Sequence, residues 1–474
     1  MQLKGKQVLV LGLGESGLAM ARWCARQGAR VRVADSRAEP PYKGALLSQV
    51  PTAEFVHSHF DDRFDKRMLI GVDLITLSPG LSGGLMPVLH ARANGVPVVG
   101  EIELFAWAHR AWEQDHRTQT GSRILAITGT NGKTTTTALT AYLCQAAGHR
   151  AVAAGNISPS ALDAWMDAQD AGRMPDVWVL ELSSFQLETV DTLYPDGAAV
   201  LNVSEDHLDR YDGLDDYAGA KARIFQGEGV QVLNRQDTRV RKMARADRPL
   251  ITFGLDAPAS TEDFGLRENR GEAWIVRGDS FLLPVSELPI AGLHNAANAM
   301  AALALCASIG IAPVSLLPAL RQFKGLAHRV EQVTTIGGVT YYDDSKGTNV
   351  GATLAAITGL GPVLGQDGKL VLILGGDGKG QDFSPLYPAV MDFARAVVLI
   401  GRDAQKIGAA LAASGVPLSR AKDMDEAVAL ASSSAQPGDV VLLSPACASL
   451  DMYRNYAHRA EVFISAVKAL EAQP

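Results

Sequence analysis

The sequence predicts an α/β protein built from three domains. Its 474 residues are about three times the ~150 of a typical domain. Short apolar runs alternate with helical patterns almost throughout, the pattern of βαβ units and parallel sheets. Two glycine-rich loops each stand between a strand and a helix. Hydrophobic residues at 47% with 20% charged suit ordinary globular cores.

The first domain is expected at residues 1–100, with strands at 7–13 (QVLVLGL), 30–35 (RVRVAD) and 73–78 (DLITLS). Its opening, MQLKGKQVLVLGL, sets two lysines before an apolar stretch as a signal peptide does. No small-residue cleavage pattern follows, so a first strand is expected. Residues 106–122 turn polar and read as a helix end and linker. A central domain at 101–326 then places strands at 123–128, 177–182, 197–203, 230–234 and 249–254, a small hairpin excursion at 256–279, and a buried Ala-rich helix at 292–310. The third domain, 327–474, carries strands at 339–344, 369–376, 396–401 and 439–445. No internal repeat or low-complexity segment is seen.

Charge and cysteine content exclude several function classes. The formal charge is −7, made of +4 over 1–100, −8 over 101–326 and −3 over 327–474. Nucleic-acid binding needs a basic footprint, so no nucleic-acid partner is expected. No apolar run approaches the ~18 residues of a membrane span. The four cysteines, Cys24, Cys144, Cys306 and Cys447, are scattered, as in a reducing compartment. A cytoplasmic enzyme is the expected class, without a membrane partner.

Gly12-Leu13-Gly14-Glu15-Ser16-Gly17 is a G-x-G-x-x-G between strand and helix, which makes the first domain Rossmann-like. Glycines let the backbone approach a diphosphate at a helix N-terminus. Asp35 closes the next strand, about 20 residues on, where an acid binds a ribose. The fingerprint marks a nucleotide diphosphate without naming it, so NAD stays open at this point. The second loop is Gly129-Thr130-Asn131-Gly132-Lys133-Thr134-Thr135, a P-loop-type phosphate cradle that marks the central domain as an ATPase. Its backbone N–H groups and Lys133 suit phosphate oxygens, and Thr134 suits magnesium. It departs from G-x-x-x-x-G-K-[ST], because position 127 is Ile. Glu181 ends an apolar strand and can reach a metal beside the cradle. His207, among Glu205, Asp206 and Asp209, reads as a metal ligand, an acid/base or simply a solvated turn residue. Lys221 by itself reads as an ordinary helix lysine. Cys447 has no histidine base at motif spacing, so it reads as a structural thiol.

Taken in order, GTNGKTT, LELSSFQLE, LNVSEDHLDRY, GLHNAANAMAA, AHRVE, DDSKGTN and SPACASLDMY resemble the motifs of the Mur ligase family, ATP-dependent amide ligases of peptidoglycan precursor synthesis. The resemblance covers nearly the whole chain, leaving 110–122 and 256–280 as variable loops. Within the family, 343–353, 374–386 and 444–463 resemble the members that add D-glutamate to UDP-N-acetylmuramoyl-L-alanine. It implies a Rossmann-like third domain, and a first domain holding the UDP moiety rather than NAD: Ser16 and Gly17 at the diphosphate, Asp35, Ser36 and Arg37 near uridine, Gly80 against the sugar nucleotide.

For the central domain the resemblance implies ATP at Lys133 and Thr134, magnesium on Thr134 and Glu181, and adenine at Asn295 and Asn298. Arg329 and Asp344 would complete that site from the third domain, which implies closure of the third domain onto the second. Asn156, Ser183 and His207 match positions at the muramoyl-alanine end. Lys221 matches a carbamylated lysine that, with His207, holds a second magnesium. D-Glutamate would meet Lys346, Thr348, Lys379, Ser449, Leu450 and Tyr456, the last standing where Phe is expected. The base that deprotonates its ammonium is expected at His207 or near His328. Implied too is an acyl-phosphate intermediate; a monomer is expected. A folylpolyglutamate synthase-like ligase is the nearest alternative, and an NAD-dependent or nucleotide-sensing protein the alternative of another class. The first argues poorly for the extra N-terminal domain, and the second leaves Lys133, Lys221, Lys346 and Lys379 without a joint purpose.

Overall fold

The computed structural model describes residues 2–116, 121–207, 210–364 and 367–471. The chain builds three sheets in succession. The first contains β1 (Gln7–Leu11), β2 (Arg30–Asp35), β3 (Glu54–His57), β4 (Leu74–Leu77) and β5 (Val98–Val99). All five are parallel, in the order β3-β2-β1-β4-β5. That is the doubly wound order of a nucleotide-binding half, with its crevice at the carboxyl end of β1. Strand β1 is apolar from Val8 to Leu11 because both its faces are covered there. Val8 and Val10 point to the face holding Met20 and Trp23, whereas Leu9 and Leu11 point to the face holding Ile75 and Val88.

The second sheet contains β6 (Arg123–Thr128), β7 (Ala151–Gly155), β8 (Val177–Glu181), β9 (Gly197–Val200), β10 (Val230–Asn234), β11 (Leu250–Phe253), β12 (Phe264–Asn269), β13 (Glu272–Arg277) and β14 (Ser280–Pro284). Its order is β14-β13-β12-β11-β10-β9-β6-β8-β7. The third contains β15 (Glu331–Ile336), β16 (Val339–Asp343), β17 (Leu370–Gly375), β18 (Ala394–Ile400), β19 (Leu418–Arg420) and β20 (Val440–Leu443), in the order β15-β16-β20-β17-β18-β19. It is parallel except for the edge strand β15.

Several elements differ from the sequence reading. The helix Glu101–Asp115 continues through most of the expected linker, because Trp107 and Trp112 pack on the core beneath it; residues 117–120 of that linker lie outside the described residues. The stretch 256–280 is not merely a variable loop: its hairpin, β12 with β13, pairs antiparallel with β14 and extends the central sheet. Strands β3, β5, β7 and β19 carry no long β-branched run, and sheet neighbours hold them where local pattern is weak; β15 ends in the β-branched run Val333-Thr334-Thr335-Ile336 and pairs antiparallel with β16 at the sheet edge.

One hydrophobic cluster runs through the first two sheets. Phe105 of Glu101–Asp115 meets the Trp165 ring at 5.6 Å and the Trp178 ring at 5.2 Å, and Trp23 of the first unit joins the same core. The third unit has cores of its own on the two faces of its sheet. Among the described residues no helix is long and apolar enough to cross a membrane.

Glu101 sits inside this shared core, 1% exposed. One carboxyl oxygen accepts from the Leu162 N–H at 2.8 Å, and the other has no hydrogen-bond partner. Burial pushes its pKa up to about 7. An unfolded glutamate titrates near ~4.3, so the ionised form is penalised only in the fold. Stability is therefore expected to fall as pH rises from about 4.5 to about 7 through this group. Glu101→Gln should flatten that part of the profile, checked by urea unfolding at about pH 5 and about pH 8; an unchanged slope would refute it.

Candidate active site

The loop after β6 is shaped by backbone geometry. Gly132 holds φ +83°, and a Cβ there would lie 2.4 Å from Asn298 Oδ1. Only glycine meets both conditions without strain. The chain after β9 braces the loop from the side. Thr130 N–H donates to Asn202 O at 2.9 Å, Asn131 N–H to Asn202 Oδ1 at 2.8 Å, and Asn202 Nδ2 returns a bond to Asn131 O at 3.0 Å. The helix Lys133–Ala146 leaves the loop with Thr135 buried against the core.

Two lysines converge beneath the loop. Lys133 Nζ donates to Gly129 O and Thr130 O, both at 2.9 Å. Lys221, 1% exposed on the helix Leu214–Ala222, donates to the same Gly129 O at 3.0 Å. Its ammonium lies 4.2 Å from the Tyr217 ring centroid. Desolvation first, and the charge of Lys133 second, hold Lys221 well below the usual lysine range. Desolvation likewise lowers Lys133, opposed by Glu181 and Asp206. Lys221 is thus no ordinary surface lysine.

Glu181 ends β8 and is 1% exposed. Asn156 Nδ2 donates to its Oε1 at 2.6 Å, while its Oε2 is buried without a partner. A buried carboxylate oxygen left unpaired is costly, and a hard divalent cation bound beside Thr134 would satisfy it. The donor chemistry therefore fits magnesium. His207 has φ +55° and packs against the Phe185 ring at 4.6 Å; Asp209 lies outside the described residues. Ser183 caps the short helix Ser184–Leu187 in a reciprocal pair with Gln186, which explains Gln186 in that motif.

The third unit closes the other wall. Arg329 Nη2 donates to Thr134 Oγ1 at 2.7 Å. Asp344 is buried, accepts from Ser444 Oγ at 2.6 Å, and is pushed up to about 7 by burial. Lys346 lies 3.9 Å from the Tyr456 ring centroid, and burial lowers its pKa to about 8. A single cleft of about 680 Å³ is lined by Thr130 to Thr135, Asn156, Glu181, His207, Asn295, Asn298, Arg329, Asp344, Lys346, Thr348, Lys379 and Tyr456. Gly129 and Lys221 lie under its floor, and Ser449 (buried) and Leu450 (71% exposed) follow β20 outside the lining. Cys447 is fully buried and pushed up to about 12, which makes it a poor nucleophile.

The first unit's loop stands apart from this cleft. A Cβ on Gly17 would lie 2.1 Å from Gly12 O, so close packing alone demands that glycine. Asp35 is buried and accepts from Leu13 N–H at 2.7 Å and from the Arg37 N–H, Nε and Nη2 groups at 2.8 to 2.9 Å. Its oxygens thus organise the loop and Arg37. Ser16, exposed Ser36, Arg37 and exposed Gly80 surround the same crevice mouth at the carboxyl ends of β1, β2 and β4.

Sequence reasoning left three positioning residues without a role. Asn202 braces the loop, His294 packs against helix Val350–Leu360, and buried Arg459 ties Ser345 to Cys447 O. Each lies inside a family-like motif, and only spatial neighbours distinguish it from its flanks.

Fold and cleft together define a class: a three-sheet α/β protein whose P-loop-type anion site is shared between its second and third units. Residues 6–100 match the Mur ligase MurD-like N-terminal domain, 127–306 the Mur ligase middle domain, and 328–447 the Mur ligase glutamate ligase domain. The chain belongs to the Mur ligase family. It is 60% identical over 471 residues to the UDP-N-acetylmuramoylalanine--D-glutamate ligase of Aromatoleum aromaticum, covering 99% of this chain and 98% of the relative. The enzyme of the same name from Dechloromonas aromatica is 57% identical, with both chains covered in full. Among solved structures, the MurF ligase of Thermotoga maritima in complex with ADP shares the fold at TM-score 0.61 and 15% identity, covering 99% of this chain and 96% of that one. The UDP-N-acetylmuramate-alanine ligase MurC of the same organism does so at 0.58 and 21%, covering 98% and 99%.

Gly132→Ala tests the loop geometry. Strain and overlap with Asn298 should cost about 1–3 kcal/mol, read as a lower thermal unfolding midpoint. An unchanged midpoint would refute the fit.

Proposed function

We propose that this protein is an ATP-dependent amide ligase that joins D-glutamate to UDP-N-acetylmuramoyl-L-alanine. The observation that carries the reading is one cleft holding a phosphate loop with Lys133 on one wall and Arg329, Lys346 and Lys379 on the other. Relatives 60% and 57% identical over nearly all of the chain bear the name of that reaction. Domains at 1–100, 101–326 and 327–474 would hold the UDP substrate, ATP and the amino acid in turn.

Four cationic side chains in a partly dry cleft favour anionic ligands and developing phosphoryl charge. Lys133, now spent on loop carbonyls, is placed to turn to β- and γ-phosphate oxygens. Arg329 reaches the same phosphates from beside Thr134, and Asn295 and Asn298 flank an adenine. Thr134 and Glu181 would hold magnesium, which when bound neutralises charge on the transferring phosphoryl group. The alanine carboxylate attacks the γ-phosphorus as the bond to ADP breaks, giving an acyl phosphate. The D-glutamate amine, after losing a proton to a base, then attacks the carbonyl, and phosphate leaves. His207 lines the cleft and is placed for that proton; His328 is held by Asp343 at 2.7 Å. Lys346 and Lys379 suit an amino acid with two carboxylates, with Thr348, Ser449, Leu450 and Tyr456 around it.

Lys221 fits carbamylation by its chemistry. Desolvation favours the unprotonated amine of Lys221, and that form attacks CO2, forming an N–C bond and releasing a proton. The product is an anion beside Lys133, and with His207 it would hold a second magnesium, which an ammonium repels.

Phosphate release from ATP with UDP-N-acetylmuramoyl-L-alanine should require D-glutamate. Turnover with L-lysine or with a folate in its place would overturn the assignment. Lys133→Ala should lose about 100-fold or more in kcat, and full activity would refute its phosphate role. With 13C-bicarbonate, a carbamate carbon signal should form in the native protein and vanish in Lys221→Arg; no signal in either rules out the modification.

A further inference from the structure

Arg210 follows the His207 segment in sequence, yet its guanidinium reaches across to the first unit while keeping one bond in the second. Nη1 donates to Pro79 O at 3.1 Å, and Nη2 donates to Leu81 O at 2.9 Å and to Glu188 Oε2 at 2.7 Å. Its face lies 4.3 Å from the Phe185 ring centroid, and Phe185 is the ring that packs on His207. Tyr211 OH donates to the other oxygen of Glu188 at 2.7 Å, so the carboxylate is held on both sides. On the far side, Ser78 Oγ donates to Gly12 O at 2.9 Å, joining the segment 78–81 to the first unit's glycine loop. A continuous set of contacts thus runs from Gly12 through Ser78, Pro79 and Leu81 to Arg210, Phe185 and His207. The side chain is 13% exposed.

We propose that Arg210 is a positioning residue that sets the span between the glycine loop of the first unit and the reacting end of the cleft. The inference rests on the reading of the substrate as a sugar nucleotide bound across both units. Such an acceptor is long: anchored at its diphosphate end, it delivers its carboxylate wherever the distance between the two units places it. Binding energy gained far from the reacting atoms helps catalysis only if that distance is held. A planar guanidinium serves because its fork meets two carbonyls and a carboxylate at once while its face stacks on a ring. A lysine has no such fork.

The test uses the full-length protein and two acceptors, UDP-N-acetylmuramoyl-L-alanine and the same acceptor without UDP, N-acetylmuramoyl-L-alanine. With the full acceptor, Arg210→Gln should lower kcat/KM about 100-fold, the scale of a misplacement by about 1 Å. KM for ATP and for D-glutamate should stay within about twofold. With the truncated acceptor, which is not anchored at the far end, the same substitution should change kcat/KM less than about threefold. Arg210→Lys keeps charge and bulk and should restore only part of the loss. Equal losses with both acceptors, or no loss with the full one, overturn the proposal. Should Arg210→Gln fail to fold by circular dichroism, the two-acceptor ratio is read from Arg210→Lys against the native protein. Native protein that releases no phosphate with the full acceptor and D-glutamate defeats the functional reading and this proposal together. Native turnover with an equal ratio defeats this proposal alone.

Discussion

Two ammonium groups share one peptide oxygen, and much of the site depends on that arrangement. Lys133 and Lys221 come from helices on either side of the loop and meet at Gly129 O. Two like charges so close, partly shielded from water, raise each other's cost. The structure answers with a neutral tendency at Lys221 and with Glu181 and Asp206 nearby. It answers also with an anion-seeking cleft, since any phosphate entering it relieves the repulsion. The chain's net charge of −7 plays no part in this; the local balance of lysines, arginine and acids does.

The three units are joined in different ways. The first and second share one hydrophobic core around Phe105, Trp165 and Trp178, and Arg210 adds a polar strut across the same boundary. The third has separate cores and meets the second through polar contacts such as Arg329 with Thr134 and Asn349 with Asn131 at 3.3 Å, and through the smaller packing of Ala291 and His294 on helix Val350–Leu360. Polar interfaces of that kind permit relative motion, whereas a shared core resists it. On the proposed reading, a long acceptor gripped across the first two units would meet a fixed frame, and nucleotide and amino acid would meet a wall able to move.

Much of the fold was legible because apolar runs and glycine loops are local signals. The strands QVLVLGL and RILAIT stand close to where their patterns put them, and the helix over Leu293–Ser308 begins at its glycine. Strand β7, with its small residues AVAAG, was not legible, because its pairing partners rather than its own propensity hold it extended, whereas the edge strand β15 carries the β-branched run Val333 to Ile336, a signal that was there to read. The site divides in the same way. Gly132, Lys133 and Thr134 announce themselves by spacing, whereas Lys221 looks like any helix lysine until burial removes its water. Asp35 reads from spacing as a ribose acid, and folding adds what spacing does not show, its bonds to Leu13 N–H and Arg37.

By itself, then, the sequence determined the α/β class, the two phosphate-type loops and the residue types at each. Those properties follow from periodicity, backbone permissiveness and charge, all of which act within a few residues. Tertiary structure alone decided which side chains share water and which lose it. It left Glu181 with an unpaired oxygen, drew Lys221 beneath Gly129, and set Arg329 across from Thr134, 195 residues away in the chain. Desolvation and long-range pairing depend on neighbours brought together by folding, and no short stretch of sequence contains them.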